Sequence, residues 1–244
     1  MRYAIIADIH ANLAAFTAVV DDIEHREGVE EIWCLGDIVG YGPDPHQCLE
    51  LLRQRNHLCV AGNHDLAATG QIDTSEFNPD ATAACHWAEQ QLNPEDIEYL
   101  NSLPLVIHRN NFTLVHGSPR NPVWEYLCSV GNARENFAYF TSQFCLVGHS
   151  HIPLVFEYNE TGDCSLSEYP TDTILTLTEN RLIINPGGVG QPRDSDPRAS
   201  YAIYDSEVKS ITHCRVPYDI EATQARMVKY SLPKHLVTRL SHGV

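Results

Sequence analysis

Five short polar clusters interrupt the apolar stretches of the first 151 residues, and each lies beside a small residue or a turn. The clusters are Asp8-Ile9-His10, Gly36-Asp37, Gly62-Asn63-His64-Asp65, His116-Gly117 and Gly148-His149-Ser150-His151. Side chains two positions apart in a strand or tight turn can point to the same side, so Asp8 and His10 are suited to hold one ion. The same argument applies to His149 and His151. Four imidazoles, two carboxylates and one amide oxygen are enough ligands for two cations.

The chemistry of these ligands narrows the choice of metal. The clusters contain no thiolate and mix imidazole nitrogen with carboxylate oxygen, which favours borderline divalent metals over Ca or Mg. We therefore predict two divalent metal ions as cofactors, with Mn, Fe or Zn expected first and Co or Ni as alternatives. In two-metal hydrolases, ions about 3.5 to 4 Å apart deprotonate a bridging water and neutralise phosphoryl oxygens. Asp37 is the candidate bridge between the ions.

Alternating strands and helices are predicted to position the first three clusters. Apolar runs predict strands at residues 3–7, 32–35 and 57–61, and apolar residues at helical spacing predict helices at 11–26 and 47–54. A polar cluster follows each of these strands. This alternation predicts an α/β arrangement, in which functional groups collect at the carboxyl ends of the strands.

The second half of the chain is richer in β-structure and predicts a second sheet. Its strand-like runs cover residues 106–109, 113–116, 144–147, 154–158, 173–177, 182–185, 200–204 and 208–215. Before them, residues 78–102 predict a helical stretch with a boundary at Asn93, and a helical insertion is predicted near residues 132–140. The tail, about residues 218–242, predicts two short helices with a break at Pro233. Its basic residues are interpreted as the solvated face of helices that cover the sheet, with a docking surface as the alternative.

Composition limits the classes of protein and partner. With 43% hydrophobic and 20% charged residues the chain has a globular composition, and we predict one domain over residues 1–244. The net charge of −16 argues against general nucleic-acid binding and against anionic membranes, so bound cations must attract a phosphate substrate locally. The N-terminal apolar run is too short for a signal peptide or a membrane span. Eight cysteines without a C-x-x-C pair are typical of reduced, buried thiols, which predicts a cytoplasmic protein. A homo-oligomer is compatible with these features.

The five clusters follow the order D-x-H, G-D, G-N-H-[D/E], H-G and G-H-x-H, which resembles the signature of the calcineurin-like metallophosphoesterase superfamily. Residues 185–193 resemble the N-P-G-S-x-G-x-P-R loop of its small prokaryotic phosphodiesterase-like branch, with Gly188 in place of the usual Ser. The tail resembles the C-terminal helical extension of one bacterial group. The resemblance implies an α/β fold: a four-layer sandwich of two mixed β-sheets flanked by helices, with a short C-terminal helical extension.

The resemblance also implies a role for each residue of the clusters. It implies one metal bound by Asp8, His10, Asp37 and His151, and a second bound by Asp37, Asn63, His116 and His149. His64 follows a ligand in the chain, and the family mechanism implies that it protonates or stabilises the departing oxygen. Asp65 is the candidate to orient His64, because a nearby carboxylate favours the imidazolium form that a general acid needs.

Residues outside the clusters supply candidates for substrate binding. Arg120, Arg193 and Arg198 are predicted either to clamp a substrate phosphate or to form surface ion pairs. Tyr41 is predicted at the rim of the site, because it follows the second cluster closely. Trp124 and Tyr126 are candidates to stack on a base, although packing in the core is favoured.

Together, these features predict a two-metal-dependent phosphoesterase. It is expected to hydrolyse a small or nucleotide-like phosphodiester, ahead of a monoester, through a metal-activated water. A protein phosphatase is the alternative enzyme. A non-catalytic metal-binding scaffold is the alternative from another class, and it is disfavoured because His64 and every expected ligand are present.

Overall fold

The computed structural model describes all 244 residues and contains two six-stranded sheets and eight helices. The strands are β1 (Arg2–Ile6), β2 (Val29–Cys34), β3 (His57–Cys59), β4 (Val106–Arg109), β5 (Phe112–Val115), β6 (Phe144–Leu146), β7 (Pro153–Tyr158), β8 (Cys164–Glu168), β9 (Ile174–Thr176), β10 (Arg181–Pro186), β11 (Ala199–Asp205) and β12 (Ser210–Val216). The helices are α1 (Leu13–His25), α2 (Pro45–Arg53), α3 (Asn63–Ala68), α4 (Pro79–Glu89), α5 (Pro94–Ser102), α6 (Val130–Asn136), α7 (Ile220–Lys229) and α8 (Lys234–Arg239). None of the helices combines the length and the apolar character needed to span a membrane.

Both sheets combine parallel and antiparallel strands. The first sheet has the order β3-β2-β1-β11-β12-β9, with β1, β2 and β3 parallel and the remaining neighbours antiparallel. The second sheet has the order β4-β5-β6-β10-β7-β8, with β5, β6 and β10 parallel. Its other neighbours are antiparallel. The prediction of two mixed sheets is therefore confirmed.

Alternating side chains of β1 show how the layers pack. Ala4 and Ile6 join α1 and α2 in one apolar core, whereas Tyr3, Ile5 and Ala7 face the second sheet. A third apolar cluster joins α6 to the outer face of the second sheet. Full burial of a large apolar side chain stabilises the fold by about 1.5–3 kcal/mol, so these three cores hold the layers together. The order helix, sheet, sheet, helix confirms the predicted four-layer sandwich.

The sequence does not predict two of the elements. β8 is a mostly exposed edge strand, so it lacks the alternating buried face by which strands are recognised. α3 has only six residues and begins inside a polar cluster that the sequence places at a strand end. The prediction of a helix near 132–140 is wrong in its bounds, because Ser129 caps α6 by accepting the N–H of Asn132.

The C-terminal extension, α7 and α8, packs mainly on other helices. Met227, Leu236 and Leu240 belong to a fourth apolar cluster, and its other members include Ala84 of α4 and Tyr41. α7 also contacts α1. The interpretation that the tail covers a sheet is therefore wrong, because its apolar face lies against α1, α4 and the loop that contains Tyr41.

Candidate metal centre

Seven polar side chains from the ends of β1, β2, β3, β5 and β6 converge in one buried cluster. They are Asp8, His10, Asp37, Asn63, His116, His149 and His151, and none is more than 3% exposed. Parallel strands end at the same edge of a sheet, which is why residues far apart in the chain meet there. The fold brings together all the residues predicted as ligands, and metal binding itself stays a prediction.

Asp8, His10 and His151 form one group of candidate ligands. Nε2 of His10 lies 3.1 Å from Nε2 of His151, which lies 3.6 Å from Oδ1 of Asp8. One ligand atom from each residue lies within 4.8 Å of the others. Two atoms that bind one ion at about 2.0–2.2 Å lie at most about 4.4 Å apart. The separations of 3.1 Å and 3.6 Å are within this limit.

His116, His149 and Asn63 form a second group. Nε2 of His116 lies 3.1 Å from Nδ1 of His149 and 3.0 Å from Oδ1 of Asn63. The geometry of this group therefore matches that of the first.

Asp37 joins the two groups. Its Oδ2 lies 3.5 Å from Nε2 of His10 and 3.4 Å from Nε2 of His116. Its Oδ1 accepts a hydrogen bond of 2.9 Å from the backbone N–H of His64. Asp37 thus occupies the position between the groups that a bridging carboxylate would need.

Backbone carbonyls fix the orientation of three of the imidazoles through Nδ1. The pairs are His10 with the carbonyl of Val39 at 3.2 Å, His116 with that of Leu35 at 2.8 Å and His151 with that of Gln191 at 2.6 Å. A carbonyl oxygen can only accept, so each Nδ1 bears the proton when the ring is neutral. Each Nε2 then directs its lone pair into the cluster, which is how proteins prepare histidine for a metal.

The residues present fit divalent cations. Oδ2 of Asp8 is buried without a hydrogen-bond partner, and an unsatisfied buried group costs about 1–3 kcal/mol. Burial also raises the pKa of Asp8 to about 7. The lone pairs of His10 and His151 face each other, so a positive charge between them would relieve their repulsion. The mixed nitrogen and oxygen ligands suit a borderline divalent metal.

Burial keeps most of these imidazoles in the neutral form that binds metal. It lowers the pKa of His149 to about 3 and holds the pKa values of His10 and His151 well below their usual range. His116 differs: burial lowers its pKa, but the charge of Asp37 and the hydrogen bond to it raise the value to about 9. Metal binding at the second group therefore requires that His116 lose a proton.

The backbone at five of the seven candidate ligands adopts the left-handed conformation. The φ angle lies between 46° and 64° at Asp8, His10, Asp37, His149 and His151. This conformation costs an L-residue roughly 1–2 kcal/mol, and such strain is concentrated at functional sites. The surrounding fold therefore holds the ligand loops in a shape that the chain would otherwise avoid.

A model of the calcineurin-like phosphoesterase superfamily domain matches residues 1–209 of the chain. This chain belongs to the calcineurin-like phosphoesterase superfamily. The crystal structure of a metallophosphoesterase from Sphaerobacter thermophilus is 46% identical in sequence with a TM-score of 0.91, and the match covers 100% of this chain and 99% of that one. An uncharacterized protein of Methanocaldococcus jannaschii is 41% identical over an alignment 245 residues long, and the match covers 98% of this chain and 97% of that protein.

A further relative is similar to about half of this chain. The symmetrical bis(5'-nucleosyl)-tetraphosphatase of Haemophilus ducreyi is 27% identical over 151 residues. The match covers 55% of this chain and 51% of that enzyme, so the chain matches about half the length of this relative.

His64 lies beside the candidate ligands, but Asp65 does not orient it. The carboxylate of Asp65 accepts four backbone N–H groups, from Gly62 and residues 37–39, at 2.8 to 3.1 Å. Burial lowers the pKa of His64 to about 4, so the ring is neutral near pH 7. The expectation that Asp65 orients His64 and favours its imidazolium form is therefore wrong. Asp65 instead stabilises the loop at residues 37–39, which contains Asp37.

A cleft of about 100 Å³ opens above the candidate ligands, and aromatic side chains form much of its wall. They are Tyr41, Phe77, Trp124 and Tyr126. Tyr126 is 48% exposed and its ring stacks on His149 with 3.9 Å between centroids, so the favoured interpretation of core packing is wrong for this residue. Trp124 is half-buried at the same cleft. The sequence gives no signal for Phe77, because it lies in a loop without a periodic apolar pattern.

Of the three arginines predicted to bind phosphate, only Arg193 lines the cleft. Arg120 forms ion pairs with two glutamates, and Arg198 forms one with Asp196 at 2.6 Å. Arg120 and Arg198 therefore form surface ion pairs, as the alternative prediction stated. Arg193 has no carboxylate partner, and its guanidinium donates a hydrogen bond of 3.2 Å to the side chain of Gln191.

Gly188, which departs from the usual Ser of the family loop, lies against a candidate ligand. A Cβ added at Gly188 would lie 3.1 Å from Cβ of His151 and 3.3 Å from its Nδ1. A side chain at this position would require the His151 ring to shift by a few tenths of an ångström. Glycine therefore leaves space for the hydrogen bond between His151 and the carbonyl of Gln191.

Proposed function

We propose that this protein is a two-metal phosphoesterase that hydrolyses small or nucleotide-like phosphodiesters, ahead of monoesters. The main support is the position of Asp37, whose Oδ2 lies 3.5 Å from Nε2 of His10 and 3.4 Å from Nε2 of His116. A carboxylate oxygen shared by two groups of ligands suits a closely spaced pair of ions. Membership in the phosphoesterase superfamily supports the same chemistry.

The proposal gives each candidate ligand a metal to bind. Asp8, His10, Asp37 and His151 hold one divalent ion, and Asp37, Asn63, His116 and His149 hold the other. When bound, such ions supply positive charge for phosphoryl oxygens and lower the pKa of water so that it attacks at neutral pH. Mn, Fe or Zn is proposed first, with Co or Ni as alternatives.

Arg193 is proposed to bind a phosphoryl oxygen of the substrate. Its guanidinium lines the cleft without a carboxylate partner, so its donors are available to an anion. The Cζ atom of Arg193 lies 5.9 Å from the ring centroid of Tyr41, which supports the guanidinium on one side. In a chain with a net charge of −16, this arginine and the ions supply the local positive charge that an anionic substrate needs.

Tyr126 supports a nucleotide-like substrate. One face of its ring stacks on His149, and 48% of the residue is exposed, which leaves aromatic surface for a base. Stacking of a base on an aromatic side chain contributes about 1–3 kcal/mol to binding. The similarity to a symmetrical bis(5'-nucleosyl)-tetraphosphatase, which covers about half of each chain, supports the same substrate class.

The eight cysteines support a cytoplasmic setting. All are unpaired, and six are buried. Cys128 is exposed and Cys164 is partly exposed, so the prediction of buried thiols is wrong for these two. An exposed free thiol persists in a reducing compartment.

Metal reconstitution tests the proposal directly. The protein is stripped with a chelator, reloaded with Mn, Fe, Zn, Co or Ni, and assayed with bis(p-nitrophenyl) phosphate, p-nitrophenyl phosphate and a dinucleoside polyphosphate. We expect turnover only after metal addition, with the diester faster than the monoester. Asp37→Asn should lose turnover, whereas Asp21→Asn, an exposed change on α1, should retain it.

Two results would contradict this proposal. Binding of two ions without turnover of any ester would favour the metal-binding scaffold. Turnover of phosphopeptides, but not of small esters, would favour a protein phosphatase.

A further inference from the structure

His64 lies between the candidate metal ligands and the apolar core, and one of its nitrogens faces a thiol. Its Nδ1 lies 3.1 Å from Sγ of Cys85, a residue of α4. Both residues are buried, with 2% of His64 and 1% of Cys85 exposed. The thiol is therefore the hydrogen-bond partner of Nδ1 within the protein.

No carboxylate competes with the thiol for this nitrogen. Both oxygens of Asp65 already accept backbone N–H groups. On another side of the ring, Gly40 adopts a φ of 88°, and a Cβ added there would overlap Nδ1 of His64. The backbone thus excludes a side chain at Gly40 and leaves Cys85 as the contact.

Aromatic packing holds the plane of the His64 ring but does not select one of its two orientations. The centroids of Tyr41 and Phe77 lie 4.3 Å and 4.7 Å from the centroid of His64. A flip of an imidazole by 180° exchanges each nitrogen with a carbon of similar size, so packing changes little. A hydrogen bond to Nδ1 distinguishes the two orientations.

The chemistry of the thiol determines which nitrogen of His64 bears the proton. Burial raises the pKa of the Cys85 thiol well above its usual range, so the thiol keeps its proton and can donate it in a hydrogen bond. A neutral imidazole that accepts at Nδ1 bears its own proton on Nε2. Because Nδ1 faces Cys85 and Gly40, Nε2 is the nitrogen that faces the cleft.

We infer that Cys85 is a positioning residue for the proposed hydrolysis: its thiol holds His64 so that Nε2–H faces the oxygen of the leaving group. This inference rests on the proposed function. In hydrolysis, the oxygen of water bonds to phosphorus, the bond from phosphorus to the leaving oxygen breaks, and that oxygen keeps the electron pair and ends with a proton from the water. Nε2–H of His64 donates a hydrogen bond to the negative charge that develops on the leaving oxygen.

Substrates with different leaving groups test this role. A p-nitrophenolate leaves with little help, whereas an alkoxide needs a hydrogen bond to its developing charge, so we compare p-nitrophenyl and methyl diesters of one nucleotide. Cys85→Ala should lower kcat for the methyl diester by about 10- to 100-fold, which is less than the loss of a complete acid–base group. It should change kcat for the p-nitrophenyl diester little, and KM for either substrate little.

Two further variants separate positioning from stability. Cys85→Ser retains a donor near Nδ1 and should restore most of the rate for the methyl diester. Cys48→Ala removes another buried thiol, in α2 and outside the cleft, and should preserve both rates. The urea denaturation midpoints of Cys48→Ala and Cys85→Ala are also compared. They show how far each variant is destabilised by the loss of a buried thiol.

Nitrogen-15 NMR of the histidines gives a readout that needs no turnover. In the metal-free wild-type protein and in Cys85→Ser, we expect the proton of neutral His64 on Nε2. In Cys85→Ala, we expect a mixture of both tautomers. His64→Gln assigns the signals by removing them.

The outcomes distinguish this inference from the proposed function. Equal losses for both leaving groups in Cys85→Ala, or a proton on Nδ1 of wild-type His64, would overturn the positioning role while hydrolysis itself stands. Absence of hydrolysis in the reconstituted wild-type protein would reject the proposed function and, with it, the catalytic purpose of the contact.

Discussion

The backbone N–H of His64 donates a hydrogen bond of 2.9 Å to Oδ1 of Asp37, while Oδ2 of the same carboxylate faces both groups of candidate metal ligands. One carboxylate therefore fixes the start of the helix that contains His64 and connects the two proposed metal sites. A change at Asp37 is expected to disturb both.

Asp37→Asn should weaken metal binding at both proposed sites. The substitution keeps the size of the side chain but removes the negative charge that the two ions would share. We expect affinity to fall by more than about 100-fold, because loss of a group that only hydrogen-bonds to a ligand already costs about 10- to 100-fold. Calorimetric titration of the metal-free protein measures this effect, with Asp21→Asn as the control. Two ions bound at wild-type affinity would contradict a shared ligand.

Arg193→Ala should weaken substrate binding and catalysis. Hydrogen bonds to charged groups contribute about 1.5–3 kcal/mol, so kcat/KM should fall by about 10- to 100-fold or slightly more. Arg120→Ala and Arg198→Ala are the matched controls, because both residues already pair with carboxylates at the surface. Steady-state kinetics of the three variants provides the measurement. Equal effects at all three positions would remove Arg193 from substrate binding.

Tyr126→Ala should reduce the preference for nucleotide substrates. Loss of one stacked base costs about 1–3 kcal/mol, so kcat/KM for a nucleotide diester should fall by about 10-fold relative to a diester without a base. Tyr139→Ala serves as the control, since Tyr139 is 57% exposed and does not line the cleft. If the ratio of the two substrates stays at its wild-type value, Tyr126 does not contact the base.

His213 should make the metal-free protein less stable in acid. The ring is buried, its Nε2 lies 2.8 Å from Oγ of Ser200, and burial lowers the pKa of His213 from 6.5 to about 4. Between these values the unfolded chain takes up a proton that the folded protein does not. The free energy of unfolding is therefore unaffected above pH 6.5 and falls as the pH drops towards 4, by up to about 3 kcal/mol.

Urea denaturation at pH 7 and near pH 4.5 measures this dependence. In His213→Gln the difference in unfolding free energy between the two pH values should be smaller than in the wild-type protein. An unchanged difference would mean that other groups, such as the buried histidines of the metal centre, account for the whole acid effect.

Periodicity predicts those elements whose burial leaves a pattern in the chain. The apolar run at residues 3–7 corresponds to β1, and 106–109 matches β4 residue for residue. The position of the polar clusters after strands also predicts the convergence of the ligands, because parallel strands end together. β8 is missed since four of its five residues are exposed, and α3 is missed because six residues are too few to show a period.

Contacts between side chains from separate elements are not encoded in any local pattern. Asp65 follows His64 directly, which suggests that the two interact. On a helix, however, neighbours in sequence point about 100° apart, so Asp65 faces the loop at residues 37–39 while His64 faces the cleft. The partner that His64 does have, Cys85, lies on another helix, and only the packing of α3 against α4 brings them together.

Tyr41 connects the C-terminal helices α7 and α8 to the candidate metal centre. Its ring contacts His10 and His64 on one side and the apolar residues of α7 and α8 on the other. Both helices lie beyond residue 209, where the match to the superfamily domain ends. If the proposed function holds, substitutions in these helices should reshape the entrance for substrate while every proposed ligand is retained. The proposed reaction and its selectivity would then depend on different parts of the chain.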